Sequence, residues 1–420
     1  MRKTTLLPLI EFSFYTISFL LLLFSHANSE LNDQEQAVLL NLKQHWQNPQ
    51  PLGHWTPSNS SSHCSWPEIN CTDGSVTGLS LKNLNIIARN SPTLHNYFVG
   101  TVPDDIYLMS RLRELNLGAN NFSGNITASI KRLTELRSLQ LFACQFNGSF
   151  PPEIGNLSNL ERLELAYMTT IMPARLPSEF TKLKKLTHLW VTGSNLVGEI
   201  PDTTGEMAAL EHLDLSRNNL CGKIPSGLFL LKNLNVVYLY KNKLSGEIPQ
   251  VVEALNIDVI DLSKNNLTGT IPDDFGRLTK LSGLGLFINQ LSGKIPDSIG
   301  RLLRLINFNL FSNNLSGTLP PDLGQFSKLE EFQVSSNRLS GQLPQHLGDN
   351  GRLVGVVAFD NDLSGKLPQS LGNCNNLIIV NVHNNRFSGN VPSSLWTLFN
   401  LSILMLSNNS FTGELPKRVS

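Results

Sequence analysis

The sequence predicts an α/β solenoid with a parallel β-sheet on its concave face, from two observations: a leucine pattern that returns in every coil and a glycine that returns with it. Leu-x-x-Leu-x-Leu-x-x-Asn-x-Leu-Ser-Gly-x-Ile-Pro recurs along nearly the whole chain, anchored at Gly198, Gly222, Gly246, Gly269, Gly293, Gly317, Gly341, Gly365, Gly389 and Gly413. The step between those glycines is 24 residues, with one of 23 from Gly246 to Gly269. A unit this short cannot bury its own leucines, so each must stack on its neighbours as a leucine-rich repeat. Function is expected on the extended face that such a stack exposes.

The chain opens with a targeting pattern. Arg2 and Lys3 precede an uncharged, largely apolar run of 13 residues at 12–24, and Ala27-Asn28-Ser29 follows before Glu30. This reads as a signal peptide over 1–29, cut after Ser29. The run is shorter than the roughly 20 residues that span a bilayer, and no later segment comes closer, so no membrane span is expected in the mature chain. Lys plus Arg and Asp plus Glu number 33 each. With no net charge, nothing draws the chain to nucleic acid or an anionic membrane. A length of 420 residues exceeds a usual single-core domain, but a solenoid grows its core in one dimension.

Residues 30–78 are expected to cap the first coil. Asn32 or Asp33 would start a helix running through Ala37, Val38, Leu40, Leu42 and Trp46. Trp46, Trp55 and Trp66 are expected to seal the first coil, because a solenoid end otherwise exposes apolar side chains and strand edges. Cys64 and Cys71 lie close together in Cys64-Ser65-Trp66-Pro67-Glu68-Ile69-Asn70-Cys71, and an oxidising destination permits a disulfide between them. Loop entropy gives it roughly 2 to 3 kcal/mol. Cys144, Cys221 and Cys374 fall on different coils; at about 4.8 Å per coil Cys144 and Cys221 are about 14 Å apart, beyond the reach of about 7 Å for a disulfide. Cys144 takes a place where other coils carry Asn and reads as a buried thiol.

Residues 79–420 hold about 13 repeats by this pattern. Leu-x-Leu puts alternate residues inward and outward as a short strand. The Asn that follows, at Asn218, Asn242, Asn265, Asn289, Asn313, Asn337, Asn361, Asn385 and Asn409, can satisfy backbone groups where the chain leaves the strand, so stacked coils make an Asn ladder. Gly permits a left-handed backbone, and Ile-Pro is expected to form a second extended segment that Pro ends. Stretches such as 297–303 should form short helical turns on the convex side. Two coils break register. At 160–185 a 26-residue coil replaces Asn and Gly with Tyr167-Met168-Thr169-Thr170-Ile171-Met172-Pro173-Ala174-Arg175 and is expected to bulge beside the concave face. At 82–98 Ala88, Ser91 and Thr93 stand where strand leucines belong, so this degenerate coil is expected to be the weakest. The last coil reaches Leu415-Pro416 without a second Cys pair, which leaves the edge around Leu404 and Leu406 bare.

The Cys-x-Trp cap followed by Leu-Ser-Gly-x-Ile-Pro repeats resembles the ectodomain of plant leucine-rich-repeat receptor kinases. Within them, Cys64-Ser65-Trp66-Pro67-Glu68-Ile69, Tyr97-Phe98-Val99-Gly100 and Phe411-Thr412-Gly413-Glu414-Leu415-Pro416 are similar to the HAESA-like subgroup, over about residues 33–416. The resemblance implies a plant-type leucine-rich repeat superhelix in the apoplast, or at the plasma membrane in a longer form with a membrane helix. It also implies a secreted peptide bound along the concave and inner lateral surface, and a shorter leucine-rich-repeat co-receptor. The longer relatives signal through a Ser/Thr kinase; this sequence carries no kinase, so the chain alone is expected to be a non-enzymatic, signalling-incompetent recognition module without cofactor or metal. Its single kinase-like triplet, Asp274-Phe275-Gly276, has no catalytic or phosphate loop beside it. Some HAESA-like receptors read a peptide carboxylate with an outward Arg-x-Arg pair. The matching columns here hold Glu331 and Gln333, Gly355 and Val357, Ile379 and Asn381, and Ile403 and Met405, with no such pair. The architecture also resembles polygalacturonase inhibitors, which makes inhibition of a microbial wall-degrading enzyme the alternative.

Two patches are candidate ligand contacts. Directly after the second strand leucine, one outward column reads Phe142, Tyr240, Phe287, Phe311 and Phe359; it is either an aromatic strip for a partner or shallow packing beside the ladder. Nearer the cap, Arg162, His188 and His212 occupy one outward column and Glu164, Trp190, Asp214, Tyr238 and Asp261 the next. That patch can be a solvated polar strip, a ligand or pH-sensing surface, or a metal site. Sequons at Asn59, Asn70, Asn121, Asn125, Asn147, Asn156, Asn266, Asn314, Asn400 and Asn408 point to a glycoprotein whose sugars fence the binding surface.

Overall fold

The computed structural model describes residues 33–57, 62–82 and 98–414, in two compact units, 1–162 and 163–420. The signal peptide, Asn32, Asn59, Tyr97, residues 83–97 of the degenerate coil and Leu415-Pro416 lie outside the described residues.

In the first unit a helix runs over 33–45 and buries Leu39 and Leu42; Asp33 is already helical and is not the residue before it. Cys64 and Cys71 form a disulfide with Cα atoms 5.6 Å apart. Cys71 lies on the strand Ile69–Thr72, which pairs antiparallel with Ser75–Ser80. The three tryptophans are buried in two separate groups. Trp55 and Trp66 stack at 4.9 Å, with the Trp55 indole N–H donating to Glu68. Trp46 instead packs against Phe122 at 5.2 Å and Phe98 at 6.0 Å, and its indole N–H donates to the Thr101 carbonyl. It therefore ties the helix to a second strand stack, Val99–Thr101, Asn121–Asn125 and Gln145–Asn147. On the main face Ser75–Ser80, Glu114–Asn116 and Ser138–Gln140 run parallel. Leu79 pairs directly with Leu115, so no strand stands between them although 36 residues separate them in sequence.

In the second unit the strands His188–Trp190, His212–Asp214, Val236–Tyr238, Val259–Asp261, Gly283–Gly285, Asn307–Asn309, Glu331–Gln333, Gly355–Val357, Ile379–Asn381 and Ile403–Met405 pair in parallel in that order. The central residue of each points inward; Leu189, Leu213, Val237, Ile260, Phe308, Phe332, Val356 and Val380 are fully buried. Residues one coil apart share a register, which is why the leucine period equals the coil length. Short 3₁₀ turns such as Asp273–Arg277 and Asp297–Arg301 form the opposite side. The Asp274-Phe275-Gly276 triplet is one of these turns, with Phe275 in the core.

The Asn ladder binds coil to coil. Asn265 donates through Nδ2 to the Leu262 carbonyl of its own coil and the Leu239 carbonyl of the preceding one, each at 3.0 Å, and accepts from the Leu244 amide at 3.0 Å. Asn218, Asn242, Asn289, Asn313, Asn337, Asn361, Asn385 and Asn409 repeat the arrangement. Asn120 joins them, donating to Leu81 and Leu117. Cys144 substitutes as expected: its thiol donates to the Leu117 carbonyl, and burial pushes its pKa up to about 11. The residue before each ladder position is left-handed, with φ between +53° and +56° at Arg217, Lys241, Lys264, Ile288, Ser312, Ser336, Asp360, Asn384 and Asn408.

The second extended segment is placed differently from expectation. It lies within the Asn-Leu-Ser-Gly-x stretch, as in Ser245–Glu247 and Asn266–Thr268, and ends before Ile-Pro, whose Pro leads into the 3₁₀ turn. Gly269 there has φ of +77°, and an added Cβ would meet Glu247 Cγ at 2.7 Å, so both conformation and space require glycine. In the 26-residue coil Met168 fills the ladder position, fully buried, while Asn195 donates to the Thr169 and Ile171 carbonyls and holds the inserted loop. Among the described residues no helix is long and apolar enough to cross a membrane.

Candidate functional site

Three outward positions per coil make the open strand face, and the second unit sets them in register. In the first position His188 and His212 stack with ring centroids 4.3 Å apart. Glu164 Oε1 stands 3.6 Å from His188 Nε2. The His212 ring meets Tyr238 edge-on at 5.9 Å, and Tyr238 meets Tyr240 at 6.2 Å. Tyr167, from the inserted loop, meets Trp190 edge-on at 5.7 Å. The strands bring these groups together because parallel neighbours place equivalent positions about 4.8 Å apart. Arg162 closes the first unit and is exposed.

This patch is not a solvated strip. Glu164 is 7% exposed and Asp214 8%. Asp214 Oδ1 accepts from the Ser216 amide at 2.9 Å and hydroxyl at 2.6 Å, and Asp261 Oδ1 accepts from the Ser263 amide at 3.0 Å. Burial chiefly, with Asp214 adding repulsion, raises the Asp261 pKa above its ordinary value against the Ser263 hydrogen bonds and the Lys264 charge. Burial and the charges of Asp214 and Asp261 likewise raise Tyr238. Three metal-ligating groups gather among the described residues at His63, Cys64 and Cys71, where the disulfide occupies both sulfurs, and not at His188 and His212.

The aromatic column is half-buried rather than fully exposed, and it is interrupted. Phe287 and Phe311 stack at 4.5 Å and Phe359 stacks on His383 at 4.7 Å, while buried Ser263 and Ser335 separate these pairs from each other and from Tyr240. Phe142 belongs to the first unit, where Lys82 lies over its ring. Lys264 sits over Phe287 at 5.8 Å and Arg217 over Tyr240 at 5.7 Å. His383, which extends the column beyond Phe359, was detectable from the same spacing but is not aromatic hydrocarbon. The left-handed residue before each ladder Asn, which supplies Arg217 and Lys264 to these rings, has no sequence signature because nine different coils fill it with unlike residues. The asparagines of the nine described sequons, Asn70, Asn121, Asn125, Asn147, Asn156, Asn266, Asn314, Asn400 and Asn408, are all exposed.

The comparisons agree with this geometry. The leucine rich repeat N-terminal domain family matches residues 32–72, a leucine-rich repeat region family matches 105–248, and single leucine rich repeats match 256–278, 304–326, 376–398 and 400–420. The Arabidopsis receptor kinase HAESA, solved with the peptide hormone IDA and the co-receptor SERK1, superposes with a TM-score of 0.76 at 33% identity, covering 91% of this chain and 71% of HAESA's. The plant peptide hormone receptor RGFR1, solved with RGF2, gives a TM-score of 0.71 at 30% identity, over 84% of this chain and 62% of that one. The leucine-rich repeat receptor protein kinase EMS1 of Arabidopsis thaliana is 35% identical over 112 residues, 26% of this chain and 8% of EMS1. The chain thus spans a small part of that relative's length. Cap, ladder, strand register and these likenesses agree: the chain belongs to the leucine-rich-repeat ectodomains of the plant receptor kinases.

Proposed function

We propose that the chain is an extracellular recognition module that binds a secreted peptide across its strand face and does so in concert with a shorter leucine-rich-repeat co-receptor. The observation that carries the reading is the face of the second unit, where half-buried aromatic side chains and buried carboxylates stand side by side on consecutive strands. Such a surface supplies apolar contact and orienting charge together. An extended peptide crossing the strands advances about 3.3 Å per residue against about 4.8 Å per strand, so its footprint covers several coils. The footprint runs from His188 and Trp190 towards Phe287 and Phe311, with Glu164, His212, Asp214, Tyr238, Tyr240 and Phe359 as further contacts. HAESA and RGFR1, solved with peptide hormones, support this reading. The signal peptide would deliver the chain to the apoplast, and sugars on the exposed sequons would leave the strand face open. The test is capture: the glycosylated chain, immobilised and exposed to the peptide fraction of apoplastic fluid, should retain a discrete peptide identifiable by mass spectrometry. Retention of no peptide, with inhibition of a wall-degrading polygalacturonase instead, would contradict the proposal.

A further inference from the structure

On four consecutive strands the open face alternates ring and carboxylate: Trp190 pairs in register with Asp214, Asp214 with Tyr238, and Tyr238 with Asp261. The strands His188–Trp190, His212–Asp214, Val236–Tyr238 and Val259–Asp261 contain no Lys or Arg. The fold does not need the two charges. In the coil of Glu114–Asn116 the Asn116 side chain occupies the same place and its Oδ1 accepts from the Gly118 amide at 3.0 Å, as Asp214 and Asp261 do from Ser216 and Ser263. A neutral amide thus makes the same turn. Burial strips hydration from both carboxylates, and at Asp261 the nearby Lys264 charge does not offset that loss; a bound cation would compensate for it. The molecule also shows what its rings accept, since it lays Arg217 over Tyr240 and Lys264 over Phe287 at the edge of the same face.

Resting on the peptide-binding reading, we infer that this stretch recognises two cationic side chains of one extended peptide, three residues apart. One cation would lie at Trp190 and Asp214 and the other at Tyr238 and Asp261, each meeting a ring and a carboxylate. The spacing follows from the sheet. Equivalent positions two strands apart are separated by about 9.6 Å. A polyproline II peptide rises about 3.1 Å per residue with three residues per turn, so side chains at i and i+3 leave the same side about 9.3 Å apart. Arginine suits the site better than lysine, because its planar head can stack on the ring while its edge meets the carboxylate.

The experiment uses the whole glycosylated chain and fluorescence polarisation with a labelled Pro-Pro-Arg-Pro-Pro-Arg-Pro-Pro peptide. A second peptide carries citrulline for both arginines, and a third has the two arginines adjacent. The arginine peptide should bind at least tenfold more tightly than the citrulline peptide and severalfold more tightly than the adjacent one. The Asp214→Asn, Asp261→Asn double variant, which keeps both turn-forming oxygens and should melt no lower than the parent, should lose at least tenfold for the arginine peptide alone. Equal binding of the arginine and citrulline peptides, or an unaffected double variant, would overturn cation recognition while leaving peptide binding intact. Binding of none of the three would overturn the paired-cation inference, and capture from apoplastic fluid would still decide the wider reading.

Discussion

Asn265 and Leu239 lie on successive coils, and the Asn265 side-chain amide donates to the Leu239 carbonyl at 3.0 Å while also serving Leu262 and Leu244. One side chain satisfies three backbone groups that the tight turn leaves without partners. Asn265→Ala should therefore cost about 2 to 4 kcal/mol, since unmade buried hydrogen bonds cost about 1 to 3 kcal/mol each and part of the loss is relieved by water. Hydrogen exchange should speed up first at the Leu244 amide. Protection there equal to the parent's would show that the ladder is not what joins the coils.

Ile288 holds a left-handed backbone, φ +54°, where other coils place Asn384 and Asn408. A β-branched residue is strained in that region by about 1 to 2 kcal/mol, and Ile288 is also 42% exposed. Ile288→Asn should stabilise the second unit by about 1 kcal/mol. A lower midpoint in urea unfolding would mean that the isoleucine side chain contributes more than its backbone strain costs.

His63 is fully buried in the cap, 3.9 Å from the buried Glu35. Burial holds its pKa below 6.5, against a weaker upward pull from Asp33. A depressed histidine contributes stability that is present above its unfolded value and lost as pH falls through the folded one. Glu35, raised above 4.5 by burial against the Val76 amide and Arg111, acts in the opposite sense, its contribution being lost as pH rises through the raised value. Between pH 7 and 5 the histidine should make the cap melt at lower temperature, and His63→Leu should flatten that slope. Parallel slopes would remove His63 from the account.

Of the three free cysteines, Cys221 is exposed and Cys144 and Cys374 are buried. Burial raises the pKa of both buried thiols, which suppresses the reactive thiolate. A maleimide should label Cys221 in the native protein and all three only after unfolding without reductant. Rapid native labelling of Cys144 would show that the coil register is wrong.

The solenoid was legible because each signal is tied to a repeated backbone need: leucines at alternating strand positions, Asn at the turn, Gly at positive φ. The displaced lateral strand at Ser245–Glu247 was not, since Ile-Pro looks extended whether or not it pairs. Outward columns were also readable from the period, and His188 and His212 do stack. Burial along those columns was hidden. Whether Asp214 is solvated depends on Trp190 and Tyr238 beside it and on Ser216 beneath it, which are relations across coils rather than along the chain. The direct pairing of Leu79 with Leu115 likewise needed coordinates.

The peptide-binding account is tested most directly by titrating a captured apoplastic peptide into the parent chain and into the folded Phe287→Ala, Phe311→Ala double variant. These two rings form the stacked pair at the far end of the proposed footprint. The account predicts affinity at least about tenfold lower in the variant, or roughly 1.4 kcal/mol, without unfolding of the protein. Unchanged affinity in a folded variant would contradict it and return the two phenylalanines to packing beside the ladder.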